Sequence, residues 1–178
     1  MNKLRRVLPI LLLVTSALGQ LRPTPPKVKA GPISPITVVQ GGKTSLEMMF
    51  RIIPGFHINS NKPTSDLYIP TKVTFDVPTD ISIAGTQYPE GEMINLPFDP
   101  DTKLSVYTGD IAVKALVMAA KSTPSGTYRV HGDFRYQACD NRACYPPTAV
   151  PIEFDVKVAK PVSTATHHNP AQSPHVHN

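Results

Sequence analysis

The sequence predicts an all-β fold, a two-layer antiparallel sandwich of about eight strands, with a closed barrel as the alternative arrangement. Three observations carry this expectation. Twenty of the 178 residues are proline, about twice ordinary usage, and proline is poorly tolerated in helix interiors. Apolar residues recur at every second position in several runs, the period of a strand with one buried face. Between those runs lie clusters of Gly, Pro, Asn, Asp and Ser that make turns. Ten glycines with no every-third-residue repeat exclude a collagen helix. The length suits one domain with appendages.

In chain order, the first segment reads as a signal peptide over residues 1–19. Lys3, Arg5 and Arg6 form a positive start, Val7 to Leu18 an apolar core, and Ala17-Leu18-Gly19 supplies the small residues of a cleavage site. The apolar run is about twelve residues long, short of the roughly 20 that a membrane-spanning helix needs. No cysteine follows it, which argues against a lipid anchor. The leader holds three of the 18 Lys and Arg residues, so 15 remain against 13 Asp and Glu, and the mature chain is only weakly basic. No basic stripe with interleaved aromatics exists, so nucleic-acid binding is not expected. The richest later apolar run, Ile111 to Ala120, is interrupted by Lys114. An exported protein, periplasmic or otherwise, with no stable membrane anchor after cleavage is expected.

Residues 20–33, with Pro23, Pro25, Pro26 and Pro32, read as a Pro-rich linker, an extended arm rather than a packed element. The folded domain is expected over residues 34–159. Within it Leu46, Met48, Phe50 and Ile52 alternate with polar neighbours. So do Val73, Phe75 and Val77, and then Ile111, Val113, Ala115, Val117 and Ala119. Tyr128, Val130, Gly132, Phe134 and Tyr136 face one way while Arg129, His131, Asp133 and Arg135 face the other. Val150, Ile152, Phe154, Val156 and Val158 close the series. Shorter candidates are Ile36 to Gln40, Ile81 to Ala84 and Leu104 to Tyr107. Residues 160–178 read as a flexible His/Pro-rich tail. Its His167, His168, His175 and His177 are irregularly spaced with no carboxylates nearby, so a solvated tail is favoured over metal scavenging.

Cys139 and Cys144 are the only two cysteines. They fall between a strand expected over Thr127 to Ala138 and a return strand over Thr148 to Val158, at the tip of a hairpin. A hairpin tip brings its ends within the few ångströms that a disulfide requires, and an exported protein meets oxidising conditions. The closed loop is short, so its chain-entropy stabilisation, about 2 kcal/mol, is among the smallest on the usual scale. Short loops also hold more reducible bonds. A structural staple and a redox couple both remain open on spacing alone. Two thiolates without a nearby pair of partner ligands do not make a zinc site, and no cofactor is expected.

Tyr136-Gln137-Ala138-Cys139 followed by Cys144-Tyr145-Pro146-Pro147 resembles the N-terminal periplasmic domain of the DsbD thiol:disulfide interchange proteins. The resemblance extends through Gly55-Phe56-His57-Ile58-Asn59, Tyr88-Pro89-Glu90-Gly91, Val106-Tyr107 and Gly109-Asp110, spanning nearly all of residues 34–159 and neither tail. It implies an immunoglobulin-like sandwich with a cysteine-bearing hairpin that shuttles electrons to thioredoxin-like periplasmic oxidoreductases, for disulfide correction or cytochrome c maturation. It implies that Cys144 forms the mixed disulfide with a partner and that Cys139 resolves it. Full-length members continue into a membrane electron-transfer domain, so here a separate membrane electron donor is expected. The alternative class is a non-catalytic immunoglobulin-like binding or scaffold module with a structural disulfide.

In the family a loop caps the pair. Asn95 to Thr102 occupies the matching place, with Phe98 as the shielding candidate and Asp99 and Asp101 after it. Family members place acidic residues before the aromatic, so an acid–base role for either aspartate does not carry over. His57 and Asn59 stand where the family has tyrosines near the cysteines, and Tyr136 and Tyr145 flank the pair in sequence. A histidine beside a thiol lowers the thiol's pKa and tunes exchange; the alternative is a surface histidine with no such role.

Overall fold

The computed structural model describes residues 25–162. The expected signal peptide, the first part of the linker and the tail histidines lie outside the described residues. The described residues form twelve strands and no helix. They are β1 (Val28–Ala30), β2 (Ile36–Val39), β3 (Lys43–Ile52), β4 (His57–Asn59), β5 (Lys72–Asp76) and β6 (Ile81–Gln87). There follow β7 (Glu92–Leu96), β8 (Asp99–Tyr107), β9 (Asp110–Ala119), β10 (Gly126–Tyr136), β11 (Ala138–Cys139) and β12 (Thr148–Ala159).

Two four-stranded sheets, ordered β1-β3-β9-β6 and β2-β12-β10-β5, form the immunoglobulin-like sandwich. All pairings are antiparallel except β2 against β12, where Ile36 lies beside Val156 in parallel. The period-two residues of the long strands fill the space between the sheets. Leu46, Met48, Phe50 and Val113 come from one side, Val130, Phe134, Phe154 and Val156 from the other, each at most 3 % exposed. Phe50 stacks on Phe134 with ring centroids 3.8 Å apart, bridging the two sheets without a tryptophan. Gly132 sits on β10 between β5 and β12: a β-carbon there would run into the Thr74 carbonyl oxygen.

Three features depart from the sequence reading. First, the chain makes a third sheet, ordered β11-β4-β8-β7, where two layers were expected. Apart from Leu104 to Tyr107, which forms the end of β8, its strands escape a periodicity search because they are short or lack a clean alternation: all three residues of β4 are buried. A small core of Leu96, Leu104 and Val106, with Tyr68 and Ile94 against it, holds it together. Second, part of the expected arm is packed. Val28 is fully buried and pairs with Ile52, because the Tyr136 hydroxyl accepts hydrogen bonds from the backbone nitrogens of Lys27 and Val28 at 3.1 and 3.3 Å. Third, the loop expected over Asn95 to Thr102 is a tight hairpin tip. Leu96 pairs with Asp99, and Asn95 Nδ2 donates to the Pro100 carbonyl at 2.7 Å.

Phe134 anchors the joint between the two main sheets, so Phe134→Ala should cost about 3–5 kcal/mol. The neighbouring Arg135 faces solvent, and Arg135→Ala should leave the urea midpoint nearly unchanged. Equal midpoints for the two variants would show that the inter-sheet stack does not hold the fold.

Candidate functional site

The cysteines enter the third sheet through a change of partner. β10 runs alongside β12 as far as the Tyr136–Thr148 pair. After Gln137 the chain leaves that sheet, and Ala138 and Cys139 pair instead with Ile58 and His57 of β4. The expected single strand from Thr127 to Ala138 is thus broken at Gln137. The turn beyond it is closed by Tyr145 N donating to the Ala138 carbonyl at 2.8 Å and Asp140 N donating to the Ala143 carbonyl at 3.0 Å. Cys139 and Cys144 face each other between these two hydrogen-bonded positions, the place in an antiparallel ladder where opposed side chains lie closest. They form a disulfide with Cα atoms 3.9 Å apart.

Asp140 shapes the turn. One carboxylate oxygen accepts from the backbone nitrogens of Arg142 and Ala143 at 2.8 and 3.0 Å, and the other accepts from the Tyr145 hydroxyl at 2.7 Å. Hydrogen bonds to the charged form, Tyr145's first, hold the Asp140 pKa down at about 2. The same contact pushes the Tyr145 phenol up. Gln137 ties the turn to its surroundings. Its Oε1 accepts from Asn59 Nδ2 at 2.9 Å and from Ile69 N at 3.0 Å, and its Nε2 donates to the Tyr145 carbonyl at 3.3 Å. Asn59 Nδ2 also donates to the Ile69 carbonyl, pinning the segment after β4 against the cysteine strand.

The two sulfur-bearing residues differ in access. Cys139 is fully buried, whereas Cys144 is half-buried. Beside Cys144, the Tyr145 ring tilts against Phe56 with centroids 5.8 Å apart. The Lys27 ammonium lies 4.5 Å from the Phe56 ring centroid and 5.4 Å from that of Tyr145. Of the residues singled out in the sequence, His57, Asn59, Tyr136 and Tyr145 all fall around the cysteine strand. His57 is 7 % exposed, which removes the surface alternative. Burial lowers its pKa, opposed by the negative charge of Asp140. Tyr136 acts through its hydroxyl on the β1 backbone.

Phe98 sits 43 % exposed in the turn between β7 and β8, at the opposite end of β8 from Tyr107, whose neighbour across the sheet is Ile58. The ring that meets Tyr145, the residue after Cys144, is that of Phe56. Asp99 opens β8 and Asp101 lies exposed within it. Sequence reasoning passed over Lys27, Phe56, Gln137 and Asp140. Gln137 and Phe56 stood inside quoted motifs, and the Asp at the start of a four-residue turn was a readable signal for a side-chain-capped turn. Lys27 had none, since only the docking of β1 brings it there. Among the described residues no group of three His, Cys, Asp or Glu could hold a metal ion.

The family profile described as thiol:disulfide interchange protein DsbD, N-terminal, matches residues 25–155. No curated protein matches the chain. Among solved structures, similarity extends to the N-terminal periplasmic domain of ScsB from Proteus mirabilis, with a TM-score of 0.45 and 10 % identity over 73 % of this chain. The chain spans 45 % of that structure's length. The Neisseria meningitidis DsbD N-terminal domain in the reduced form gives 0.38 and 23 % identity, covering 64 % of this chain and 76 % of that one. The seventh ScaB type I cohesin from Pseudobacteroides cellulosolvens gives 0.43 and 14 %, covering 76 % and 95 %.

The depressed Asp140 pKa has a signed consequence. Its stabilising contribution is present above the ordinary value of 3.8 and is lost as pH falls through about 2. Urea midpoints of wild type and Asp140→Ala should therefore differ at neutral pH and converge as the pH approaches 2. A gap that persists unchanged at the acid end would show that the carboxylate does not carry the effect.

Proposed function

The chain belongs to the family of DsbD N-terminal domains, and from that premise we propose that its Cys139–Cys144 pair exchanges electrons with thioredoxin-like oxidoreductases outside the cytoplasm. The observation that carries the reading is the unequal access of the two residues: Cys144 half-buried at the return side of the turn, Cys139 fully buried behind it. Exchange needs one sulfur that a partner can approach in line and a second held ready to displace it. In the reduced domain the Cys144 thiolate attacks one sulfur of the partner's disulfide, forming a mixed disulfide and releasing the partner's other thiolate. The Cys139 thiolate then attacks Cys144 Sγ, regenerates the internal disulfide and releases the partner's remaining thiolate. Two electrons pass to the partner, and its two thiolates are protonated to a dithiol.

A groove lined by Pro25, Lys27, Tyr145, Pro146 and Pro147 adjoins Cys144 along the chain and offers the partner an apolar seat with one cation. The signal peptide read over residues 1–19 and the family's periplasmic setting support a periplasmic location for this exchange. Disulfide correction or cytochrome c maturation receives the electrons there. In this reading the aromatic cover over Cys144 is Phe56, held by Lys27, while Phe98 at its exposed hairpin tip is free to meet the partner.

Cys139→Ser should leave Cys144 able to capture a thioredoxin-like oxidoreductase as a disulfide-linked adduct, seen on a non-reducing gel. Absence of any such adduct, together with a reduction potential well below about −300 mV, would make the bond a structural staple. In the reduced protein, Phe56→Ala should speed alkylation of Cys144 several-fold and more than Phe98→Ala does. The reverse order would assign the shield to Phe98.

A further inference from the structure

His57, Cys139 and Cys144 form a row across the third sheet. His57 is the register partner of Cys139, and Cys139 is the register partner of Cys144. Residues directly opposite in antiparallel strands project from the same face, with Cβ atoms about 5 Å apart. The buried sulfur therefore has the half-exposed sulfur on one side and an imidazole on the other. That imidazole is 7 % exposed, and its Nε2 has no hydrogen-bond partner. Buried polar nitrogens nearly always have one. In the disulfide form Cys139 has no proton to give. Reduction puts a thiol hydrogen on each sulfur, and of the two cysteines it is Cys139 that stands directly opposite the imidazole.

We propose that His57 is the proton acceptor for Cys139, taking the thiol proton onto Nε2 as Cys139 attacks the mixed disulfide at Cys144. This rests on the exchange reading above and deepens it. The resolving sulfur is buried, which disfavours its thiolate, so the second step needs a base inside the protein where the first, at the more accessible Cys144, can use water. Removing the proton gives the Cys139 thiolate. Its electron pair forms the Cys139–Cys144 bond as the Cys144–partner bond breaks, and the partner's thiolate takes up a proton from the imidazolium through solvent.

Burial keeps the resting imidazole neutral and so able to accept. The groups around it set how readily it holds the proton. Asp140, on the turn after β11, is ionised and favours the imidazolium. Arg142 on the same turn donates its backbone N–H to Asp140, and the Lys27 ammonium sits over the ring of Phe56, next in sequence to His57. Tyr145, bonded to Asp140, and Tyr107, on β8, are neutral phenols whose pKa values are raised further.

The test uses the reduced full chain and glutathione disulfide as the probe, with acid-quenched mass spectrometry following the glutathione adduct on Cys144 and its conversion to the internal disulfide. In His57→Gln the adduct should form at the wild-type rate and then persist about a hundredfold longer at pH 7, the usual scale for loss of a positioned base. The difference should shrink as pH rises past the thiol's own ionisation, because the thiolate then forms unaided. Equal lifetimes at pH 7, or a lengthening that is the same at every pH, would overturn the proposal. A wild-type protein that forms neither adduct nor internal disulfide would instead bring down the exchange reading itself. Should His57→Gln fail to fold, Cys144→Ser keeps both groups. Its Cys139 thiolate absorbance and His57 imidazole resonance should titrate as a coupled pair, and an imidazole blind to the ionisation of Cys139 would overturn the proposal equally.

Discussion

The site depends on one side chain at a strand break. Gln137 stands where the chain leaves the β10–β12 ladder and crosses to β4, and its amide replaces the backbone bonds that such a crossing interrupts. A buried break of this kind strands polar backbone groups unless a side chain takes them up. Gln137 does so in three directions at once: to Asn59, to Ile69 and to the Tyr145 carbonyl on the far side of the turn. The amide works together with the Asn59 N to Gln137 carbonyl bond and the Ala138–Ile58 and Cys139–His57 pairing to hold the cysteine strand on β4.

From this the chemistry of the pair follows. Pairing with β4 buries Cys139 under the third sheet, while the turn shaped by Asp140 carries Cys144 back toward the surface. Two cysteines close in sequence thus acquire opposite environments. The asymmetry suits a relay, where one sulfur meets the partner and the other completes the exchange. The N-terminal strand contributes as well: Tyr136 holds β1 by its backbone, and β1 delivers Lys27 to the rings beside Cys144.

Much of the sandwich was legible because its long strands have one wet face and one dry one. The alternation from Tyr128 to Tyr136 matches the observed burial, and β3, β9 and β12 behave alike. Most of the third sheet, Leu104 to Tyr107 in β8 excepted, was not legible for the opposite reason. His57, Ile58 and Asn59 are all buried, so their strand shows no alternation, and β11 is only two residues long. The motif residues around the cysteines could be quoted from the sequence, but not which of them touch. Phe98 was favoured by its place in a loop, whereas Phe56 holds the ring contact because β4 begins directly after it.

By itself the sequence determined the strand-forming period, the turns, the closeness of the two cysteines and the family signature around them. All of these are local, fixed by residues a few positions apart. Only the tertiary structure decided that the cysteines leave the main sandwich, that one is buried and the other reachable, and that a neutral histidine lies opposite the buried one. Those outcomes depend on pairing short segments far apart along the chain. Such pairings are chosen by the burial and hydrogen bonding of the whole assembly, and no window of the sequence contains that information.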